Sequence, residues 1–154
     1  MVNDATDLPP TGRLVAGAHR YPVRVHWEDT DQSGAVYHAD YLRFLERARS
    51  EMLRCAGIDQ RAAIAEGTGS YTVADLRVRY RRPARFDDAL TVVSRVTAAR
   101  GASCAIQQTV MREGETLAEA DVTAAFVAPD GRPRRQPAAW IAAIRRLQGE
   151  PIQQ

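Results

Sequence analysis

The segment that decides the fold is Glu28–His38, which reads EDTDQSGAVYH. The run Tyr21–Trp27 before it alternates apolar and polar side chains and predicts a strand. The run Tyr41–Cys55 after it is strongly helical. Residues 28–38 are therefore predicted to form a glycine-containing loop between a strand and a helix. This loop places two carboxylates, Asp29 and Asp31, just before a helix N-terminus.

A carboxylate beside a helix N-terminus is suited to acyl chemistry. The first turn of a helix leaves backbone N–H groups unpaired and carries the positive end of the helix dipole, and both stabilise a developing oxyanion. The carboxylate supplies either a nucleophile or a general base. The spacing alone also fits a plain loop carboxylate, because Asp side chains often bond nearby backbone N–H groups.

The predicted helix extends from about Ala39 to Ala56 and ends at Gly57. Apolar residues recur along it at helical spacing, namely Tyr41, Leu45, Ala48, Met52 and Cys55. A helix this apolar on one side is expected to lie against a sheet. A short helical turn is predicted to follow at residues 59–66.

The chain after the helix is predicted to contain four strands and a terminal helix. The strands are Tyr71–Arg82, Leu90–Ala98, Ser103–Arg112 and Leu117–Ala128, and the helix is Pro137–Leu147. This order predicts an α+β fold, with one long helix against a curved antiparallel sheet. The short connections indicate a meander of neighbouring strands. Dimerisation that continues or covers the sheet is expected, because an isolated sheet exposes its edges.

Length and composition predict one globular domain. The chain has 154 residues, of which 45% are hydrophobic and 26% are charged. We expect a flexible N-terminal tail over residues 1–18, a folded domain over residues 19–148 and a C-terminal tail over residues 149–154. No apolar run is long enough to span a membrane, and no secretory signal is evident, so we expect a cytoplasmic protein.

Metal and nucleic-acid sites are not predicted. The two cysteines, Cys55 and Cys104, lack metal-ligand spacing and are expected to be reduced core residues. The 21 basic residues are all arginine, and the formal net charge is +2. The arginine clusters suit phosphate groups, but no nucleic-acid-binding module accompanies them.

Several motifs together resemble a known family. They are Glu28–Asp31, Gly34, Val36–His38, Tyr41 and Glu46–Leu53, with weaker matches at Tyr80, Pro83–Asp88, Arg100–Gly101 and Ser103. This set resembles the hot-dog-fold acyl-CoA thioesterases. Within them it is most similar to the YbgC type and more distantly similar to the 4-hydroxybenzoyl-CoA thioesterases. The similarity covers most of the chain, residues 20–145.

The resemblance implies a hot-dog fold, in which a five-stranded antiparallel sheet wraps around one long helix. It implies a homodimer or homotetramer with active sites at the subunit interface. It also implies an acyl-CoA thioesterase, a hydrolase that releases a free acid and CoA-SH. No metal or other cofactor is expected, since coenzyme A is part of the substrate. An acyl carrier protein is the alternative carrier of the acyl group.

The resemblance also assigns roles to residues. The catalytic carboxylate matches Asp31, and the helix-start N–H that polarises the thioester carbonyl falls at His38. The substrate-binding residues implied are Gly34, Val36, Tyr37, Arg100 and Ser103. The length and type of the acyl chain are not readable.

Two other functions stay open on the sequence. A non-catalytic acyl-CoA-binding module would not need Asp31, and a hot-dog hydratase or dehydratase would use a histidine, for which His38 is available. Glu46 is a second carboxylate on the helix. We expect it to form an ion pair with Arg43 or Arg49, three residues away on either side.

Overall fold

The computed structural model describes residues 5–148. The helices are α1 (Asp40–Cys55), α2 (Gln60–Ala65) and α3 (Ala138–Leu147). The strands are β1 (Arg13–Val15), β2 (Ala18–Arg24), β3 (Ser70–Tyr80), β4 (Ala89–Ala99), β5 (Ser103–Arg112) and β6 (Glu115–Val127). None of the helices in the described range is long and apolar enough to cross a membrane. Residues 1–4 and 149–154, which belong to the predicted tails, lie outside the described part.

The strands form one antiparallel sheet in the order β1-β2-β4-β5-β6-β3. An α+β fold with one long helix on an antiparallel sheet is thus confirmed, with one short strand more than predicted. The prediction of a simple meander was wrong for β3, which pairs with β6 instead of β4. Residues 81–88 lead the chain from β3 to the other side of the sheet, where β4 pairs with β2. β3 therefore lies at the opposite edge of the sheet, beside β6.

The sheet begins earlier than the sequence indicated. β1 lies within the segment predicted as a tail, and it pairs with β2 through a two-residue turn. Ala16 and Gly17 both have positive φ angles in that turn, +49° and +76°, as a type I′ hairpin requires. Ala-Gly is a weaker turn signal than Asn-Gly or Asp-Gly, so the hairpin was not recognised. The predicted strand Tyr21–Trp27 ends early, because β2 stops at Arg24 and Trp27 already begins a 3₁₀ turn, Trp27–Asp29.

The apolar side of α1 lies on the sheet as predicted. Its buried residues are Tyr41, Phe44, Leu45, Ala48, Met52 and Leu53. The first half of the helix packs into one core cluster with the middle of the sheet. The second half packs with Ile58 and with Ile144 and Leu147 of α3 in another cluster. Burying these side chains contributes roughly 1.5–3 kcal/mol each, so the helix position is firmly set.

A buried glutamine also ties α1 to the sheet. Gln108 on β5 is fully buried, and its Nε2 donates to the backbone oxygen of Leu45 at 3.0 Å and to Ser94 Oγ at 2.9 Å. Its Oε1 accepts a hydrogen bond from Arg49 Nη1 at 2.9 Å. All of its polar atoms are therefore paired, and they fix one position of the helix on the strands.

The N-terminal strand is held by a buried histidine. His19 on β2 is 1% exposed, and its Nε2 donates to the Thr11 carbonyl oxygen at 2.7 Å. Its Nδ1 is buried and has no partner among the described residues. Burial lowers the pKa of His19 below its usual value, against the opposing effects of the Thr11 bond and of Glu51.

We expect His19 to make the fold less stable as the pH falls. The folded state disfavours the charged ring, so the unfolded state takes up a proton first once the pH drops below about 6.5. The free energy of unfolding should fall by at most about 1.4 kcal/mol per pH unit from this residue. Urea unfolding from pH 7.5 to 5, compared with His19→Gln, measures the effect. Parallel pH profiles for the two proteins would contradict it.

Candidate active site

The loop between β2 and α1 is shaped by Asp29. This side chain is 7% exposed, and its Oδ2 accepts a hydrogen bond from the His26 N–H at 2.8 Å. Its backbone oxygen accepts from the Tyr37 N–H at 2.9 Å, and Thr30 forms a β-bridge with Val36. The two ends of the loop are thereby held together, so Asp29 shapes the loop.

Asp31 points away from the core. Its side chain is exposed, and its Oδ1 accepts hydrogen bonds from the Ser33 N–H at 2.8 Å and from Ser33 Oγ at 2.5 Å. Within residues 5–148, its Oδ2 has no hydrogen-bond partner. The bonds from Ser33 lower the pKa of Asp31, and the nearby His38 adds a smaller effect in the same direction. The carboxylate is therefore ionised at neutral pH, with one oxygen free to react.

The segment between β3 and β4 holds the Asp31 loop through hydrogen bonds. The Val36 N–H donates to the Ala84 oxygen at 2.8 Å, and the Phe86 N–H donates to the Gly34 oxygen at 3.3 Å. Gly34 has a φ of +82°, which favours glycine. Val36, predicted to bind substrate, is 6% exposed and packs in the core, so its side chain anchors the loop.

The start of α1 lies beside this loop and has no side-chain cap. Among the described residues, the His38 N–H has no hydrogen-bond acceptor. The His38 oxygen accepts from Tyr80 Oη at 2.6 Å, and Tyr41 Oη accepts from the Ala84 N–H at 2.9 Å. These bonds fix the helix start and leave a backbone donor available there.

The rings around the helix start are exposed. The His38 ring packs on Tyr37 with 4.4 Å between centroids, and both side chains face solvent. Trp27 stacks on Phe86 at 4.3 Å, and Trp27 is 69% exposed. The sequence did not single out this Trp27–Phe86 pair. The only available signal was the match at residues 83–88, which contains Phe86.

A second feature is a cavity of about 110 Å³ between α1 and the Tyr71 end of β3. Its inner wall is apolar and includes Met52, Ile106 and Ile144, and Glu46 and Arg49 also line it. The predicted ion pair of Glu46 does not form within 4.0 Å among the described residues: Arg43 pairs with Asp40 and Arg49 bonds to Gln108, although the charge of Glu46 still acts on Arg49. The acceptor for Arg49 is thus Gln108 on the sheet and not Glu46 on the same helix.

The structure does not bring Arg100 and Ser103 near Asp31 within one chain. Arg100 lies in the β4–β5 turn and Ser103 begins β5, whereas the Asp31 loop contacts the residues just before β4. β4 has 11 residues, so it separates the two by roughly 30 Å. The turn instead contacts Gln136, a buried residue that the sequence did not indicate.

Within residues 5–148, no cluster of three or more His, Cys, Asp or Glu side chains could hold a metal ion. The two cysteines in this range are free. The chemistry available at the loop is therefore that of an ionised carboxylate, a backbone donor and exposed rings.

Comparison with known proteins agrees with this chemistry. The family model described as the thioesterase-like superfamily matches residues 25–146. The acyl-CoA thioester hydrolase YbgC of Escherichia coli O6:H1 is 41% identical over 128 residues, which cover 82% of this chain and 95% of that protein.

Two solved structures resemble the fold closely. A probable thioesterase from Bartonella henselae has a TM-score of 0.74 and 36% identity, covering 78% of this chain and 99% of the other. A thioesterase from Thermus thermophilus, complexed with coenzyme A and Zn, has a TM-score of 0.72 and 29% identity, covering 86% and 96%.

The two loop carboxylates should differ in their effect on stability. Asp29→Ala removes the buried carboxylate that accepts a hydrogen bond from the His26 N–H, and it should lower the free energy of unfolding by about 1–2 kcal/mol. Asp31→Ala removes an exposed group and should leave stability near wild type. Thermal unfolding of the two variants measures the difference. Equal losses of stability would contradict the roles assigned here.

Proposed function

This chain belongs to the thioesterase-like superfamily, and from this membership we infer that it is an acyl-CoA thioester hydrolase. It cleaves an acyl-CoA to a free acid and CoA-SH. We assign the catalytic carboxylate to Asp31. The observation that carries this assignment is the ionised, exposed carboxylate on a loop beside the uncapped start of α1. There the His38 N–H has no acceptor among residues 5–148.

The helix start is proposed to bind the thioester carbonyl. With the carbonyl oxygen at the His38 N–H, the hydrogen bond strengthens as negative charge develops on that oxygen. A preorganised donor of this kind contributes about 3–4 kcal/mol to transition-state stabilisation. The positive end of the α1 dipole acts in the same direction.

Asp31 has two possible roles in the cleavage. As a nucleophile, its free Oδ2 bonds to the carbonyl carbon, the C–S bond breaks and the thiolate leaves; water then hydrolyses the mixed anhydride. As a general base, it takes a proton from a water that attacks instead. A general base works best with a pKa near the working pH. Since Ser33 lowers the pKa of Asp31, we favour the nucleophilic role.

The proposed hydrolysis uses no metal or other cofactor, because a thiolate leaves readily without one. Coenzyme A enters as part of the substrate, and the relative from Thermus thermophilus that is complexed with coenzyme A supports this. An acyl carrier protein is the alternative carrier. The cytoplasm is the proposed location, supported by the free thiols of Cys55 and Cys104.

We propose that the working unit is a dimer formed along β3. This strand has 11 residues at one edge of the sheet, whereas β1 at the other edge has only three. β3 exposes three large apolar side chains, Val73, Leu76 and Tyr80. A long apolar edge strand favours pairing with a second chain.

The charges on β3 favour one register for an antiparallel pair. With Leu76 opposite its own copy, Asp75 lies opposite Arg77 of the partner subunit, and the pair occurs twice. Moving the twofold axis to Asp75 or to Arg77 would place like charges opposite each other, which is destabilising. Arg77 already neighbours Asp121 of β6 on its other side. The favoured register therefore continues an alternation of charge across the sheet.

This dimer would complete the site. In each chain the Tyr80 end of β3 lies at His38, and the Tyr71 end lies at the cavity and at Gln136. Antiparallel pairing places the Tyr71 end of one strand beside the Tyr80 end of the other. Asp31 of one subunit would then face the cavity and the Arg100 turn of its partner. In this arrangement Asp31 lies near Arg100 of the partner subunit, although the two residues are far apart within one chain.

Asp31→Asn should lower kcat for acyl-CoA hydrolysis by roughly 10²–10⁴-fold, because the amide is neither a nucleophile nor a base. Asp29→Asn is the matched control, since it keeps an oxygen acceptor for the His26 N–H and should cost much less. Thiol release from a panel of acyl-CoA substrates measures both. Near-normal hydrolysis by Asp31→Asn would reject the assignment. Binding without turnover by the wild type would identify a binding module, and hydration of enoyl-CoA a hydratase.

The register predicts a charge-swap result. Asp75→Arg and Arg77→Asp should each weaken the dimer, because each places two like-charge pairs across the interface. An equimolar mixture of the two variants should regain dimers, because both cross-strand pairs become attractive. Light scattering measures the masses and also separates a dimer from a tetramer. If both variants keep the wild-type mass, β3 is not the interface.

A further inference from the structure

Gln136 holds the β4–β5 turn in place. It lies between β6 and α3 and is 2% exposed. Its Nε2 donates to the Arg100 oxygen at 2.6 Å and to the Ser103 oxygen at 3.3 Å. Its backbone N–H donates to the Gly101 oxygen at 2.8 Å. One residue thus binds three of the four carbonyl groups between residues 100 and 103.

The same side chain also contacts the cavity wall. Its Oε1 accepts hydrogen bonds from Tyr71 Oη at 2.5 Å and from Cys104 Sγ at 3.1 Å. Burial raises the pKa of Tyr71 and of Cys104, so both groups stay protonated and donate. Because two carbonyls need the amide nitrogen and two donors need the oxygen, only one orientation of the amide satisfies all four bonds.

The turn held in this way is positively charged. Arg100 is exposed, and the Arg135 guanidinium lies against Gly101, 3.2 Å from where a Cβ of that residue would stand. In the described range, neither arginine has a carboxylate within 4.0 Å. Guanidinium groups without a carboxylate partner are suited to bind phosphate oxygens.

We propose that Gln136 is a positioning residue for coenzyme A, which holds the turn so that Arg100 meets the phosphates of the nucleotide. This inference rests on the proposed acyl-CoA hydrolysis. Gln136 acts through the turn and does not touch the reacting atoms. Its loss should therefore weaken binding of the nucleotide portion and leave the chemical step unchanged.

A buried glutamine could also serve the fold alone, and Gln108 provides the control for that. It is also buried, and its side chain makes three hydrogen bonds, but its partners are Leu45, Ser94 and Arg49, away from the turn. Gln108→Met and Gln136→Met both remove a buried amide while keeping side-chain length. Only the second change releases the turn.

The test compares two substrates with the same acyl group, acyl-CoA and acyl-pantetheine, which lacks the nucleotide. For Gln136→Met we expect KM for acyl-CoA to rise about tenfold, the effect of losing one or two charge-assisted hydrogen bonds. KM for acyl-pantetheine and both kcat values should stay near wild type. For Gln108→Met the ratio of the two KM values should equal that of the wild type. KM does not depend on the concentration of folded enzyme, so partial unfolding of a variant does not alter this ratio.

An unchanged ratio in Gln136→Met would overturn the proposal. If that variant does not fold, Arg100→Gln serves instead, because it removes the exposed guanidinium from the turn and leaves the bonds of Gln136 to the turn in place. The same change in ratio is expected for it, and a wild-type ratio would again overturn the proposal. Failure of the wild type to hydrolyse either substrate would refute the proposed function itself, which is a distinct result.

Discussion

Burial of one side of α1 against the sheet is the constraint on which the site depends. The helix start can serve as a donor only if it stays in one place, and the packing of Phe44, Leu45 and Ala48 sets that place. Gln108 then fixes the helix along the strands. Since the core holds the helix, its start needs no side-chain cap, and the His38 N–H just before it has no acceptor among the described residues and is available to a ligand.

The two aspartates in the loop before α1 have different roles. Asp29 is buried and its carboxylate bonds within the loop, whereas the side chain of Asp31 is exposed and, within residues 5–148, bonds to Ser33 alone. The reactive group is thus separated from the group that holds the shape. Such a division lets the loop keep its geometry while the charge of Asp31 changes during a reaction.

Local patterns predicted much of this fold. The limits of α1 and β5 followed from helical spacing, from Gly57 and from strict alternation, all of which are properties of the segments themselves. The placement of β3 at the edge did not follow, because it depends on which distant strand it pairs with. The role of Gln136 was hidden for the same reason, since its partners Tyr71 and Arg100 are far away in the sequence. The motif indicated Asp31 and His38, but not that Arg100 lies at the other end of the sheet.

The free edge of β3 has a consequence for how the protein behaves in a cell. In the proposed dimer, both subunits contribute to each active-site cleft. An isolated chain therefore has part of each of two clefts and no complete one. Dilution would therefore inactivate the enzyme by separating the subunits, without unfolding them. The total activity would also rise more steeply than the protein concentration until all chains are dimeric. A surface mutation on this strand could abolish both clefts together while leaving every reacting group intact.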